Sequence, residues 1–199
     1  MLAHFWVGIP LVIVQLVLPN VTSLPHSGPA CDPNASLGLT AEQRLGLKKP
    51  ASPDTADERW AGLAAEAPGG FAGAYPETAA SGSARRLIVL LTRPGERDSA
   101  LRVILPKVGD ATGAKPHPAS VVVTPAKFDF TQLVEWRRSL EPHANAVAKV
   151  VSTRIDQANN RIAYTVATAA DRDALVDHLG ELHLPCGLVD VVVAAPRAD

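Results

Sequence analysis

His178, His183 and Cys186 bring two imidazoles and a thiol close together in sequence, the densest gathering of metal-ligating types in the chain. Structural zinc takes four ligands in characteristic pairs, and spacings of five and three across a Pro-containing turn match no such pattern. The simpler expectation is two partly exposed histidines near a helix C-terminus, where an imidazolium interacts favourably with the helix dipole. Asp173 and Asp177 sit one turn apart and have the residue types of an acid and base pair. Asp171 and Asp173 more simply favour a positive helix N-terminus, with Arg172 beside them, so a solvated charged face is expected. Gly69, Gly70 and Gly73 surround Phe71 and Ala72, but no strong strand precedes them and no Lys-Ser or Lys-Thr follows. They read as a turn rather than a phosphate cradle. There is no Gly-x-Ser-x-Gly elbow, no HExxH and no paired CxxC. No catalytic, cofactor-binding or metal-binding residue is therefore assigned, and a non-enzymatic protein is expected.

Binding to another protein is the remaining chemistry. Trp136, Arg137 and Arg138 offer one ring and two cations, the mixture found at interface hot spots. Trp136 also falls in the apolar stripe of its own helix, so core packing competes with that role. Trp60 and Tyr75 carry the same ambiguity and complete the set of candidate contact residues. Nucleic acid is not an expected partner, because aromatic content is 5%, the net charge is −1 and no basic run occurs.

These residues must be positioned by an ordered series of elements. A short helix is expected in ERWAGLAAEA, with Trp60, Leu63 and Ala64 on one face, closed by Pro68-Gly69-Gly70. FAGAYPE reads as a strand. RRLIVLLT, unbroken in its apolar run, suits a strand buried on both faces. Pro94 opens a helix through Leu105, a loop is expected from Lys107, and SVVVTPA forms the next strand, stopped by Pro125. Asp129, with Gln132 three residues on, predicts a capping box for a helix carrying Phe130, Leu133, Val134, Trp136 and Leu140. A hairpin follows, turning at Gln157 to Asn160, then a helix with Leu175 and Leu179 inward, and LVDVVVA as the last strand.

Shifting the sequence by 75 positions lays RRLIVLLTRPGERDSALRVIL over NRIAYTVATAADRDALVDHLG, matching Arg86 with Arg161, Arg97 with Arg172 and Asp98 with Asp173. Strand, helix start and buried positions coincide together, which points to duplication. The expected fold is α/β, of the α+β kind: two ferredoxin-like β-β-α-β units, mainly antiparallel, with helices packed on one face. The corresponding divisions are 58–125 and 148–199, joined by a helix over 126–147.

Residues 1–23 are apolar from Phe5 to Leu18 and have the length of a signal-peptide core, short for a membrane span of roughly 20 residues. A signal peptide or anchor is expected there, and a disordered Pro/Ser/Ala-rich stalk over 24–57. A secreted or cell-envelope (periplasmic) location follows, with membrane contact only through the N-terminal segment if it is retained. Cys31 and Cys186 admit one disulfide in an exported chain. Acylation of Cys31 and two free thiols are the alternatives the sequence leaves open.

FAGAYPE followed by RRLIVLLT, SVVVTPA leading into the FDFTQLVEWRRSL helix, and VVSTRIDQANNRIAYTVAT together resemble the pro-regions of alpha-lytic-type secreted serine proteases. In the hairpin Asp156 and Asn160 match that family's turn, while Thr153 stands where an aromatic is expected. The resemblance spans about Phe71 to Ala194 and implies a module that helps its own protease fold and then inhibits it. The sequence runs to Asp199 without a protease domain, so action on a separate protein is expected, through a sheet edge or the strand in LVDVVVAAPRAD. The alternative is a structural or envelope-associated domain anchored by its N-terminal segment or by lipid at Cys31.

Overall fold

The computed structural model describes residues 29–35, 37–40, 56–78, 85–112 and 120–195 of the 199. The elements are α1 (Ala56–Glu66), β1 (Phe71–Thr78), β2 (Arg85–Leu91), a 3-10 turn (Pro94–Glu96) running into α2 (Arg97–Thr112), β3 (Val121–Pro125), α3 (Phe130–Val147), β4 (Val150–Asp156), β5 (Arg161–Val166), α4 (Ala169–Glu181) and β6 (Val189–Val193). Helices and strands alternate around two three-stranded sheets, ordered β1-β2-β3 and β4-β5-β6, an α+β architecture.

Each sheet is mixed rather than mainly antiparallel. β1 and β4 pair antiparallel with β2 and β5 across hairpins, while β3 and β6 pair parallel with the same central strands. The physical reason is the helix between second and third strands. It carries the chain back to the start of the sheet, and a strand reached through such a crossover lies parallel to the one it left.

The two units match well beyond their element order. Leu87 pairs with Val121 and Ile162 with Val189, so the parallel register is the same at positions 75 apart on the central strand. Both hairpins break register at the same place, leaving Ala72 and Val151 as the extra residues. Ala126 N–H donates to Leu91 O at 2.9 Å, and Ala194 N–H donates to Val166 O at 2.8 Å. The ion pair Arg86–Glu77 at 3.0 Å recurs as Arg161–Asp156 at 3.5 Å.

The central strands alternate between two environments. Leu87, Val89 and Leu91, and likewise Ile162, Tyr164 and Val166, enter one core shared with the helices. Ile88 and Leu90 turn the other way and pack with Ala72, Tyr75 and Ala126. In α3 the Asp129 carboxylate accepts from Gln132 N–H and the Gln132 side chain accepts from Asp129 N–H, the expected capping box. Its buried stripe of Phe130, Leu133, Trp136, Leu140 and Ala144 lets α3 contact α1, α4, β1, β4 and β5.

Two expectations shift. α2 continues to Thr112 rather than giving way to a loop at Lys107. Val108 lies one turn beyond Ile104, and both are buried, so the apolar stripe continues past Pro106. The expected stalk is docked wherever it is described: Leu39 enters the core, and Asp32 N–H donates to Leu184 O at 2.9 Å. Residues 1–23 lie outside the described residues. Among the described residues no helix is long and apolar enough to cross a membrane.

The β4–β5 turn ties the units together. Asn160 adopts φ 51°, a left-handed conformation that asparagine tolerates. Its carboxamide oxygen accepts from Lys127 and Phe128 N–H, each at 2.9 Å, and its amide nitrogen donates to Phe128 O at 2.8 Å. Gln157 reaches β1, accepting from Ala74 N–H at 2.9 Å. Asn160→Ala strands three backbone groups and retains the positive φ. It is expected to cost about 2–4 kcal/mol in urea unfolding, with Asn160→Asp, which keeps the acceptor, costing less. By contrast Tyr164 is fully buried with no partner for its hydroxyl, and burial raises its pKa. Tyr164→Phe removes an unsatisfied polar atom and is expected to change the same midpoint by less than about 1 kcal/mol, toward stability.

Candidate functional site

Each three-stranded sheet presents two edges whose unpaired backbone groups are a template for another strand. Three of the four are guarded. β1 contains Pro76 and a bulge, and its Ala74 N–H is occupied by Gln157. β3 ends on Pro125, and the Arg97 guanidinium lies 3.5 Å from the Val121 carbonyl oxygen. β4 is bulged at Val151 and exposes Arg154.

β6 has none of these devices. It contains no proline, and its one charged residue, Asp190, is 8% exposed. Leu188 O and Ala194 N–H both bond to β5, so by the alternation of the strand Asp190 and Val192 also face β5. The backbone groups of Val189, Val191 and Val193 therefore point to the open edge, and among the described residues no strand covers them. Val192 and Val193 are 37% and 38% exposed, giving the edge an apolar surface.

The strand is held from two sides. Arg161, on the central strand, reaches Asp190 at 3.1 Å. Its Nε lies 3.5 Å from Asp156 Oδ2, close enough for ion pairing but outside hydrogen-bonding geometry. One cation thus serves carboxylates on both neighbouring strands, which stabilises the buried Asp190. At the entrance to β6, Cys186 is bonded to Cys31 with a Cα separation of 4.8 Å. A sulfur in that bond carries no acyl chain, which removes the expected alternative of lipid at Cys31. Cys31, Arg161, Pro185, Gly187 and Asp190 line a depression of about 330 Å³ beside the disulfide. Among the described residues, neither serine, threonine, histidine nor free thiol lines it.

The sequence-derived contact residues are not brought together. Trp60 is half-buried and stacks on Phe71, with ring centroids 5.4 Å apart. Trp136 is 5% exposed and belongs to the core, as the stripe pattern of its helix favoured. Arg137 pairs with Asp57, and Arg138 with Glu58 at 2.6 Å, so both cations fasten α3 to α1. Tyr75 packs on the far face of the first sheet against Ile88 and Leu90.

The remaining sequence candidates resolve in the same local way. Gly69 N–H donates to Glu96 Oε2 at 2.8 Å, and a carboxylate there opposes a phosphate. Asp173 pairs with Arg172 at 2.8 Å, and Asp177 is exposed. His178, His183 and Cys186 do not converge: Cys186 is in the disulfide, and His183 occupies a turn at φ 49°. Among the described residues no group of three or more His, Cys, Asp or Glu side chains is placed to hold a metal ion. What sequence reasoning missed is Arg161 with its two carboxylates. The only signal was the polar Asp190 inside an otherwise apolar strand.

No protein-family model matches the chain, and no curated protein matches it. Its class is given by its architecture: tandem ββαβ units around a shared helix, with one sheet edge left open among the described residues.

Burial raises the Asp156 pKa, but hydrogen bonds from Asn159 and the Arg161 charge outweigh it, leaving the carboxyl below its ordinary 3.8. A depressed folded-state value means that the ionised form favours folding. That contribution is complete above pH of about 4 and is lost as pH falls through the folded pKa. Asp156→Asn is therefore expected to lower stability near neutrality and to flatten its fall below pH of about 4, measured as urea midpoints against pH.

Proposed function

We propose that this chain is an exported, non-enzymatic protein-binding module that accepts an extended segment of a partner protein as an added strand on β6. The observation that carries the reading is the unguarded β6 edge, with the Val189, Val191 and Val193 backbone groups directed outward and Val192 and Val193 exposed. Main-chain hydrogen bonds supply affinity in such strand addition, and alternate side chains supply specificity. The partner segment therefore carries small or β-branched apolar residues. Export is supported by the apolar segment at 1–23 and by the disulfide, a bond that persists in oxidising compartments. The resemblance to alpha-lytic-type pro-regions directs the search for partners to secreted serine proteases.

Val193→Pro separates binding from folding. Proline at this edge position removes an outward N–H without taking a hydrogen bond from the β5 ladder, so unfolding free energy changes by less than about 1 kcal/mol. With a photo-reactive residue at position 192, discrete adducts are expected in the exported fraction and with purified proteases of this class. Val193→Pro weakens their formation by about tenfold or more. Adducts that persist in Val193→Pro, or that form equally from position 154 on β4, refute the assignment.

A further inference from the structure

His143 on α3 and His178 on α4 face one another across the helix interface, with His143 Nδ1 3.4 Å from His178 Nε2 and ring centroids 5.5 Å apart. One tautomer pairing makes this a long N–H···N hydrogen bond, at the outer limit of such contacts; the other leaves two bare nitrogens facing one another. The second arrangement fits a shared cation. Two nitrogens each about 2.0–2.1 Å from one metal ion, at a tetrahedral angle, lie roughly 3.3–3.4 Å apart. We propose that His143 and His178 form a binding site for a divalent transition-metal ion of the Zn²⁺, Ni²⁺ or Cu²⁺ type, clamping α3 to α4.

The surroundings supply what such a site needs. Glu181 Oε2 lies 3.6 Å from His178 Nδ1, beyond hydrogen-bond reach, and its negative charge on that side favours a proton on Nδ1 over one on Nε2. Nε2 is then bare, and its lone pair is directed toward His143. With His143 protonated on Nε2, two lone pairs meet at the interface, and a cation placed between them removes their repulsion. Imidazole nitrogen suits zinc, nickel and copper and discriminates against magnesium and calcium.

The spacing is set by packed helices rather than by loops. His143 is adjacent to Ala144 and His178 to Leu179, and both neighbours are fully buried in the common core. His143 itself is exposed, and the His178 side chain is 29% exposed, so water can complete the coordination sphere. The absence of a third protein ligand among the described residues makes this a weak, exchangeable site rather than a structural zinc centre. The proposal is independent of strand addition at β6.

The test uses the full chain with its disulfide intact, titrated calorimetrically with ZnCl₂ and NiCl₂ in a non-coordinating buffer near pH 7.5. Saturable binding is expected to weaken by about tenfold or more in both His143→Gln and His178→Gln, by a smaller factor in Glu181→Gln, and not at all in His183→Gln. The nitrogen NMR signals of His143 Nδ1 and His178 Nε2 are expected to shift on metal addition, reporting ligation directly in the unmodified chain. The proposal is overturned by an absence of saturable binding, by binding retained in both glutamine variants, or by loss of binding in His183→Gln alone.

Discussion

The carboxamide of Asn160 is the constraint on which the arrangement of the two units depends. It completes three backbone hydrogen bonds with the segment leading into α3, and α3 is the helix that touches both sheets. A chain entering a helix between two sheets must satisfy its amide groups without a neighbouring strand. The left-handed turn at Asn160 aims one side chain at both kinds of orphan group at once. Gln157, from the same turn, accepts from the edge-facing N–H of Ala74 on β1. The hairpin of the second unit therefore both places the central helix and closes an edge of the first sheet.

Much of this fold was legible in sequence because its signals are local. The β2 run, the Asp129–Gln132 capping box and the Leu175–Leu179 stripe each lie within one element. The 75-residue shift worked because duplication preserved the central strand and helix start together, and the shared bulges and ion pairs extend that match. The parallel pairing of β3 and β6 follows from the helical crossover before each, a relation between elements that no single segment's pattern carries. Asn160 read correctly as a turn residue, but its reach to Phe128 spans 32 positions and leaves no periodic trace. His143 and His178 are 35 positions apart on separate helices, so neither residue signals the other. Trp136 with Arg137 and Arg138 looked like a contact cluster because ring and cations are adjacent in sequence. Adjacent positions on a helix point about 100° apart, and here one entered the core while the cations found acidic partners on α1.

The two units differ on the faces away from the helices, and among the described residues it is the second whose β6 edge is left open. The position of Val122 in the first sheet corresponds to Asp190 in the second, by the shared register. The first sheet packs Ile88, Leu90 and Tyr75 on that face, whereas the second carries Ala163 and the Arg161–Asp190 pair. A buried aspartate in a terminal strand is costly without its cation, so Asp190 depends on Arg161.

That same pair, with the disulfide at the entrance to β6, restrains an edge strand that would otherwise be prone to fray. Rigidity matters to an edge offered for pairing, because a partner strand gains affinity only from free energy not spent in ordering its template. The bridge between Cys31 and Cys186 joins positions 155 residues apart and fixes the start of β6 while leaving its outward backbone groups uncovered among the described residues. Under the proposed strand addition, a bond at this position would hold the edge ordered before a partner strand arrives.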